Sequence, residues 1–188
     1  MLYTGKGDGG TTKVLDSKER IPKSSALPEA LGTLDELNSY LGLARANARG
    51  TVDPVVALEA EELRTSALLR DVQETLFIVQ AEVAGADKRV AAGKVERMSA
   101  VVNAIEAIIP PLKGFSIAGG TELSAVLDVA RTLARRAERR LVALEEGGFR
   151  TLSPDTKAYM NRLSSLLFAL ARLANHAGGV AEENPKYE

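Results

Sequence analysis

Arg131-Thr-Leu-Ala-Arg-Arg-Ala-Glu-Arg-Arg140 lies inside a longer stretch, Thr121 to Glu146, whose reading decides the fold. Leu123, Val126, Leu127, Ala130, Leu133, Ala134, Ala137, Leu141 and Leu144 recur at the three- and four-residue spacing of one helix face. Asp128, Arg131, Arg135, Glu138 and Arg139 share a second face and form one charged stripe. The ten quoted residues hold five arginines. Their mutual repulsion calls for something anionic. The planar guanidinium can grip a carboxylate or a phosphate with two bonds at once. A solvated face is the commoner reading of an arginine-rich helix taken alone. A glycine- and threonine-rich N-terminus, far away in sequence, shifts the balance toward a binding site.

The same period recurs on both sides of this stretch. A first helix is expected from about Leu27 to Ala48, with Leu27, Leu31, Leu34, Leu37, Leu41 and Ala44 as its stripe and Pro28 in its first turn. A second is expected from near Pro54 to about Ala84, its first half being the weaker part. A third spans about Lys94 to Ile109 and stops at Pro110-Pro111. The fourth ends at Gly147-Gly148. The fifth opens with Ser153-Pro154-Asp155, a cap followed by proline at the first helical position, and runs to about His176. Five amphipathic helices without strand alternation predict an all-α, five-helix up-and-down bundle with an irregular N-terminal loop. The chain divides into a loop over 1–24, a helical bundle over 25–177 and a loosely ordered tail over 178–188, all in one domain. Its 188 residues suit one sizeable core.

Composition excludes several functions. A formal net charge of −1 argues against a general nucleic-acid binder. With no cysteine and one histidine, His176, the chain cannot build thiolate, iron–sulfur or multi-histidine metal centres. Paired Glu-x-x-His motifs of di-iron bundles are likewise out of reach. His176 reads as structural, near a helix C-terminus. No apolar run approaches membrane-spanning length. Together with the absence of cysteine and of any leader-like segment, this predicts a cytoplasmic protein.

Five stretches could carry chemistry. Gly5-Lys-Gly-Asp-Gly-Gly10 matches G-x-G-x-x-G literally, yet it lacks the strand and helix of a dinucleotide site and the spacing of a P-loop. Its glycines could still turn backbone N–H groups toward phosphate, with Thr4, Thr11, Thr12, Lys6, Lys13 and Lys23 adding donors. Taken alone, a floppy arm is the slightly favoured reading. The arginine stripe is the second stretch. Asn161-Arg162 is the third, and Asn161 reads equally as an inward polar contact or a surface asparagine. Phe115, in a glycine- and serine-flanked loop, is the fourth; such a ring is more often a core plug than a ligand contact. Asp35-Glu36 is the fifth, either a solvated pair or the ion-pair partner of a crowded arginine.

These stretches together resemble the PduO-type ATP:cob(I)alamin adenosyltransferase (corrinoid adenosyltransferase) family over nearly the whole chain. The resemblance rests on Tyr3-Thr-Gly-Lys-Gly-Asp-Gly-Gly-Thr-Thr12, Gly32-Thr-Leu-Asp-Glu-Leu-Asn-Ser39, Phe115-Ser-Ile-Ala-Gly-Gly120, Arg131 to Arg140 and Asn161-Arg-Leu-Ser164. It implies a five-helix bundle in a homotrimer with active sites between subunits. It implies transfer of the 5′-deoxyadenosyl group of ATP to the cobalt of cob(I)alamin or another reduced corrinoid, with triphosphate leaving and Mg2+ helping. Thr4, Gly5, Lys6, Gly7, Thr12, Lys13 and Lys23 would wrap the nucleotide. Arg135, Arg136, Glu138 and Arg139 would meet it from the fourth helix, and Asn161 from the fifth. Arg131 would pair with Asp35 of the adjacent subunit. Phe115 would displace the lower axial ligand of the corrinoid. A corrinoid reductase and an adenosylcobalamin-dependent enzyme are the partners implied.

The chain departs from the family pattern at four places. Thr4-Gly-Lys-Gly-Asp8 stands where Thr-Lys-Thr-Gly-Asp is usual, so a hydroxyl donor is lost and a cation gained at Lys6. Ala118-Gly-Gly stands for Pro-Gly-Gly. The segment Lys18 to Pro22 is one residue longer, which bears on the placement of Lys23. The first half of the second helix is extended. Two other readings remain beside the enzyme: a trimeric bundle that binds ATP or a corrinoid without turnover, as a carrier or regulator, and a purely structural helical assembly, in which the N-terminal arm would have no purpose.

Overall fold

The computed structural model describes residues 2–15, 18–112 and 114–187. Five helices carry the fold: α1 (Ala26–Gly50), α2 (Thr65–Ala84), α3 (Ala92–Ile108), α4 (Glu122–Glu146) and α5 (Pro154–Ala177). In space they pack in the order α2, α1, α4, α5, α3. The helical bundle thus sets α1 between α2 and α4, and α5 between α4 and α3. Leu34, Leu37, Leu41, Leu69, Leu76, Ile105, Leu127, Leu144, Leu163 and Leu167 fill the core. On α4, Ala130, Ala134 and Ala137 are fully buried. Side chains this small let α1 and α5 approach the α4 backbone closely. Tyr159 is buried on α5, and burial raises its phenol pKa well above the ordinary value.

Three expectations need correction. Residues 1–24 are not wholly irregular, because β1 (Thr11–Lys13) pairs antiparallel with β2 (Arg20–Pro22). The second helix starts at Thr65 and not near Pro54. Residues 55–64 form a hairpin of β3 (Val55–Leu58) and β4 (Glu61–Arg64), turned at Glu59, whose φ is +54°. Helix propensity in its Glu/Ala-rich sequence is outvoted by closure of the chain. Thr65 N donates to Pro54 O at 2.8 Å, and Ser66 N and Oγ donate to the Asp53 carboxylate at 2.9 and 2.6 Å. Those bonds cap α2 at Thr65 and force 55–64 out as a hairpin. Arg97 of α3 then holds it through Glu61 at 2.8 Å. The tail, finally, is not loose: Val180 N donates to Asn175 O at 2.9 Å, and Ile117 N to Glu183 O at 2.8 Å.

Buried polar groups fix how the helices meet. Glu82, at the end of α2, is 3% exposed and accepts from Ser153 N, Ser153 Oγ and Thr156 Oγ1 at the start of α5. Asn175 Oδ1 accepts from Thr121 N at 2.9 Å, while its Nδ2 donates to Gly119 O at 2.9 Å. This amide clasps the start of α4 to the end of α5. Gly120 makes the clasp possible, since its φ is +105° and a Cβ there would lie 2.4 Å from Asn175 Oδ1.

Glu82→Ala strands three donors and is expected to cost about 2–3 kcal/mol, read as a lower urea midpoint, with Glu82→Gln losing less. Gly120→Ala should cost about 1–3 kcal/mol through backbone strain and the clash with Asn175, and an unchanged thermal midpoint would refute the clasp.

Candidate active site

Helix α4 buries its Leu/Ala stripe, and the helical period therefore carries its arginines to the rim of the bundle. Their partners differ. Arg136 is paired with Glu36 of α1, and Arg140 with Glu29 at 3.1 Å. Arg131 Nε bonds Asp128 at 3.0 Å, one turn back, and its guanidinium stacks 5.7 Å from the Phe168 ring of α5. Arg135 and Arg139 have no carboxylate partner among the described residues. Of five crowded cations, these two are left to attract an external anion. The Asp35-Glu36 pair thus splits: Glu36 holds a crowded arginine of its own chain, whereas Asp35 is exposed and without a partner among the described residues.

Asn161 combines its two expected readings. It is exposed, yet its Nδ2 donates to Glu138 Oε1 at 2.9 Å, joining α5 to α4 beside Arg135 and Arg139. Phe115 is no core plug, since its side chain is 80% exposed. A cleft of about 600 Å³ brings Phe115 together with Arg131, Arg135, Ser164 and Phe168. One cavity therefore joins the loop aromatic, an unpaired guanidinium and the hydroxyl-bearing face of α5.

The N-terminal loop is built separately. Asp8 N donates to Gly5 O at 3.2 Å and Gly10 N to Gly7 O at 3.1 Å, so two turns follow each other. Gly5 has φ +68° and Gly10 φ +75°, which favour glycine there. Strand register places Thr12 opposite Ile21 and Lys13 opposite Arg20. Lys23 N then donates to Gly10 O at 2.9 Å. The Lys23 ammonium lies over Gly7, 2.9 Å from where a Cβ would stand. The longer Lys18–Pro22 segment thus still delivers Lys23 to the loop. Thr4 Oγ1 accepts from Lys6 N at 3.4 Å, and the Lys6 and Lys13 side chains are exposed. Among the described residues, no bond joins this loop to Arg131, Arg135 or Arg139.

Sequence reasoning passed over Arg20, Arg172 and Asn175. Arg20 Nη2 donates to Lys6 O at 2.5 Å and Thr11 O at 2.8 Å, and Nε to Thr11 Oγ1 at 2.9 Å. By taking up those carbonyl oxygens it holds the loop's shape. It sits in a short polar strand with no pattern to mark it. Arg172 and Asn175 were visible in principle, as polar residues interrupting the apolar run from Leu166 to Ala174 and its end. Among the described residues, no three His, Cys, Asp or Glu side chains converge as a metal cage.

The profile of the cobalamin adenosyltransferase family matches residues 2–174. The chain is 36% identical over 181 residues to a corrinoid adenosyltransferase of Bacillus subtilis, covering 96% of this chain and 90% of that one. It is 38% identical over 179 residues to one of Citrobacter freundii, covering 92% and 93%. Among solved structures, it is similar to a variant of the PduO-type ATP:corrinoid adenosyltransferase of Lactobacillus reuteri complexed with cobalamin and ATP. That match has a TM-score of 0.82 and 26% identity, over 100% of this chain and 97% of that one. A second variant of the same enzyme, complexed with ATP, gives a TM-score of 0.83 at 26% identity, over 98% and 100%. No helix among the described residues is long and apolar enough to cross a membrane. Similar in sequence along nearly its whole length and in fold throughout, the chain belongs to the cobalamin adenosyltransferase family.

Proposed function

We propose that this chain transfers the 5′-deoxyadenosyl group of ATP to the cobalt of a reduced corrinoid, at a site shared between neighbouring copies. The observation that carries the reading is the cleft lined by both exposed Phe115 and Arg135, the latter without a carboxylate partner among the described residues. Reduced cobalt is the nucleophile and attacks C5′ of the ribose. The C5′–O bond breaks, and its electron pair leaves with triphosphate. The protein needs no nucleophile of its own. Its work is to align C5′ with cobalt and to stabilise the charge growing on triphosphate. Arg135 and Arg139 would do this from α4. Thr4, Gly5, Lys6, Gly7, Thr12, Lys13 and Lys23 would wrap the phosphates from the loop. Glu138 and Asn161, already bonded to each other, would fix the nucleotide's position. Arg136 would contribute by orienting α4 through Glu36, with Arg135 and Arg139 meeting the phosphates. Mg2+ would neutralise triphosphate charge and be held chiefly by phosphate and water oxygens, since no carboxylate cage forms among the described residues. The Phe115 ring would exclude the lower axial ligand, which eases reduction of cobalt.

The assembly we propose is a homotrimer. Two features support a shared site: among the described residues no bond joins the loop to the arginine cleft of its own chain, and exposed Asp35 has no partner there and could meet Arg131 of a neighbour. A cytoplasmic setting, where a corrinoid reductase supplies the electron and an adenosylcobalamin-dependent enzyme takes the product, suits a chain without cysteine.

Anaerobic visible spectra of the protein with ATP, Mg2+ and chemically reduced cobalamin should show ATP-dependent growth of adenosylcobalamin. Arg135→Ala should lower kcat/KM about 100-fold. Phe115→Ala should lower kcat while KM for ATP stays within about twofold. ATP binding without any adenosylation would return the carrier reading. Arg20→Ala should raise KM for ATP several-fold and leave the thermal midpoint unchanged, because Arg20 is exposed and braces only the loop; an unaltered KM would remove it from the site's support.

A further inference from the structure

Arg172 is 8% exposed on the inner side of α5, where a guanidinium is costly unless fully paired. Its Nε and Nη2 donate to the two Glu182 carboxylate oxygens at 2.6 and 3.0 Å, a fork-on-fork pair. Nη2 also donates to Pro110 O at 2.6 Å. One buried cation therefore holds both the start of the Phe115 loop and the C-terminal tail. The tail continues directly onto that loop. Glu183 O accepts from Ile117 N at 2.8 Å, and Asn184 Nδ2 donates to Phe115 O at 2.8 Å. The backbone on either side of the exposed ring is thus gripped while the ring itself stays free. Val180 and Tyr187 are exposed and Pro185 is only partly covered, so apolar burial is a small part of what keeps the tail here. Polar bonds to Arg172 and to the loop give the tail its direction.

We propose that Arg172 and the strap Glu182–Asn184 are positioning residues for Phe115, setting the direction in which the ring enters the cleft. The proposal rests on the reading of Phe115 as the residue that displaces the corrinoid's lower ligand. A free loop of this length would sample many ring positions and present the productive one for a fraction of the time. The strap removes that loss without occupying the cleft, because neither Glu182 nor Asn184 lines it.

The test compares Glu182→Ala, Asn184→Ala and a chain ending at Gly179, each in the wild-type and Phe115→Ala backgrounds. In the wild-type background kcat should fall roughly 10- to 100-fold with KM for ATP retained. In the Phe115→Ala background the same changes should cost little more, as expected for residues acting through one another. Hydrogen exchange at the Ile117 amide should accelerate in Glu182→Ala. Equal losses in the two backgrounds, or no loss in either, would overturn the proposal. If the shortened chain fails to fold, Asn184→Ala decides, since it removes one exposed side-chain bond. If Phe115→Ala itself is as active as wild type, the reading of Phe115 falls and the proposal with it. If Phe115→Ala is impaired and the strap variants are not, the proposal alone falls.

Discussion

Everything in this structure turns on the two faces of α4. Its alanines and leucines are packed against α1 and α5 at close approach, and Leu127, Ala130, Ala134, Ala137 and Leu144 lose all contact with water. Burial of that stripe is the favourable term, at roughly 25 cal/mol per Å² of apolar surface. Once the stripe is seated, the positions of Arg131, Arg135, Arg136, Arg139 and Arg140 follow from the helical period. The helix cannot rotate to relieve their crowding without exposing its apolar face.

Repulsion along the stripe is relieved unequally. Glu36 and Glu29 lie along α1, antiparallel to α4, and reach Arg136 and Arg140 on the side facing α1. Asp128 and the Phe168 ring take Arg131. No carboxylate among the described residues reaches Arg135 or Arg139. Exposed ion pairs of this kind add little to stability. Their effect is on direction: each paired guanidinium is fixed, and the charge left over is concentrated at one place on the rim. That is the electrostatic requirement for holding a triphosphate and for stabilising it as a leaving group.

The loops are held by hydrogen bonds to their backbone groups. Asn175 closes on Gly119 and Thr121, Arg172 on Pro110 and the tail, and Arg20 on the carbonyls of Lys6 and Thr11. In each case a polar side chain from a regular element bonds carbonyl or amide groups of a loop or of the strand end beside it. Glycine appears where that approach is too close for a Cβ, at Gly120 beneath Asn175. Gly120 is therefore a docking point for Asn175.

The sequence by itself determined the five helices, the face each buries, and the outward placement of the arginine stripe. These depend on the 3.6-residue period, on caps such as Ser153 and on stops such as Pro110, all local in the chain. It also held the five motif stretches that carry the family resemblance. Only the tertiary structure decided where α2 begins, since Asp53 and Pro54 close on Ser66 and Thr65 and expel a hairpin that Glu- and Ala-rich residues disguise. It alone decided that Glu36 takes Arg136, 100 positions away in sequence, and that Arg135 has no carboxylate partner among the described residues. It alone laid the tail on the Phe115 loop, through Arg172 and Asn184. These outcomes depend on which distant groups the packed helices bring within bonding distance, and periodicity along one chain segment carries no information about that.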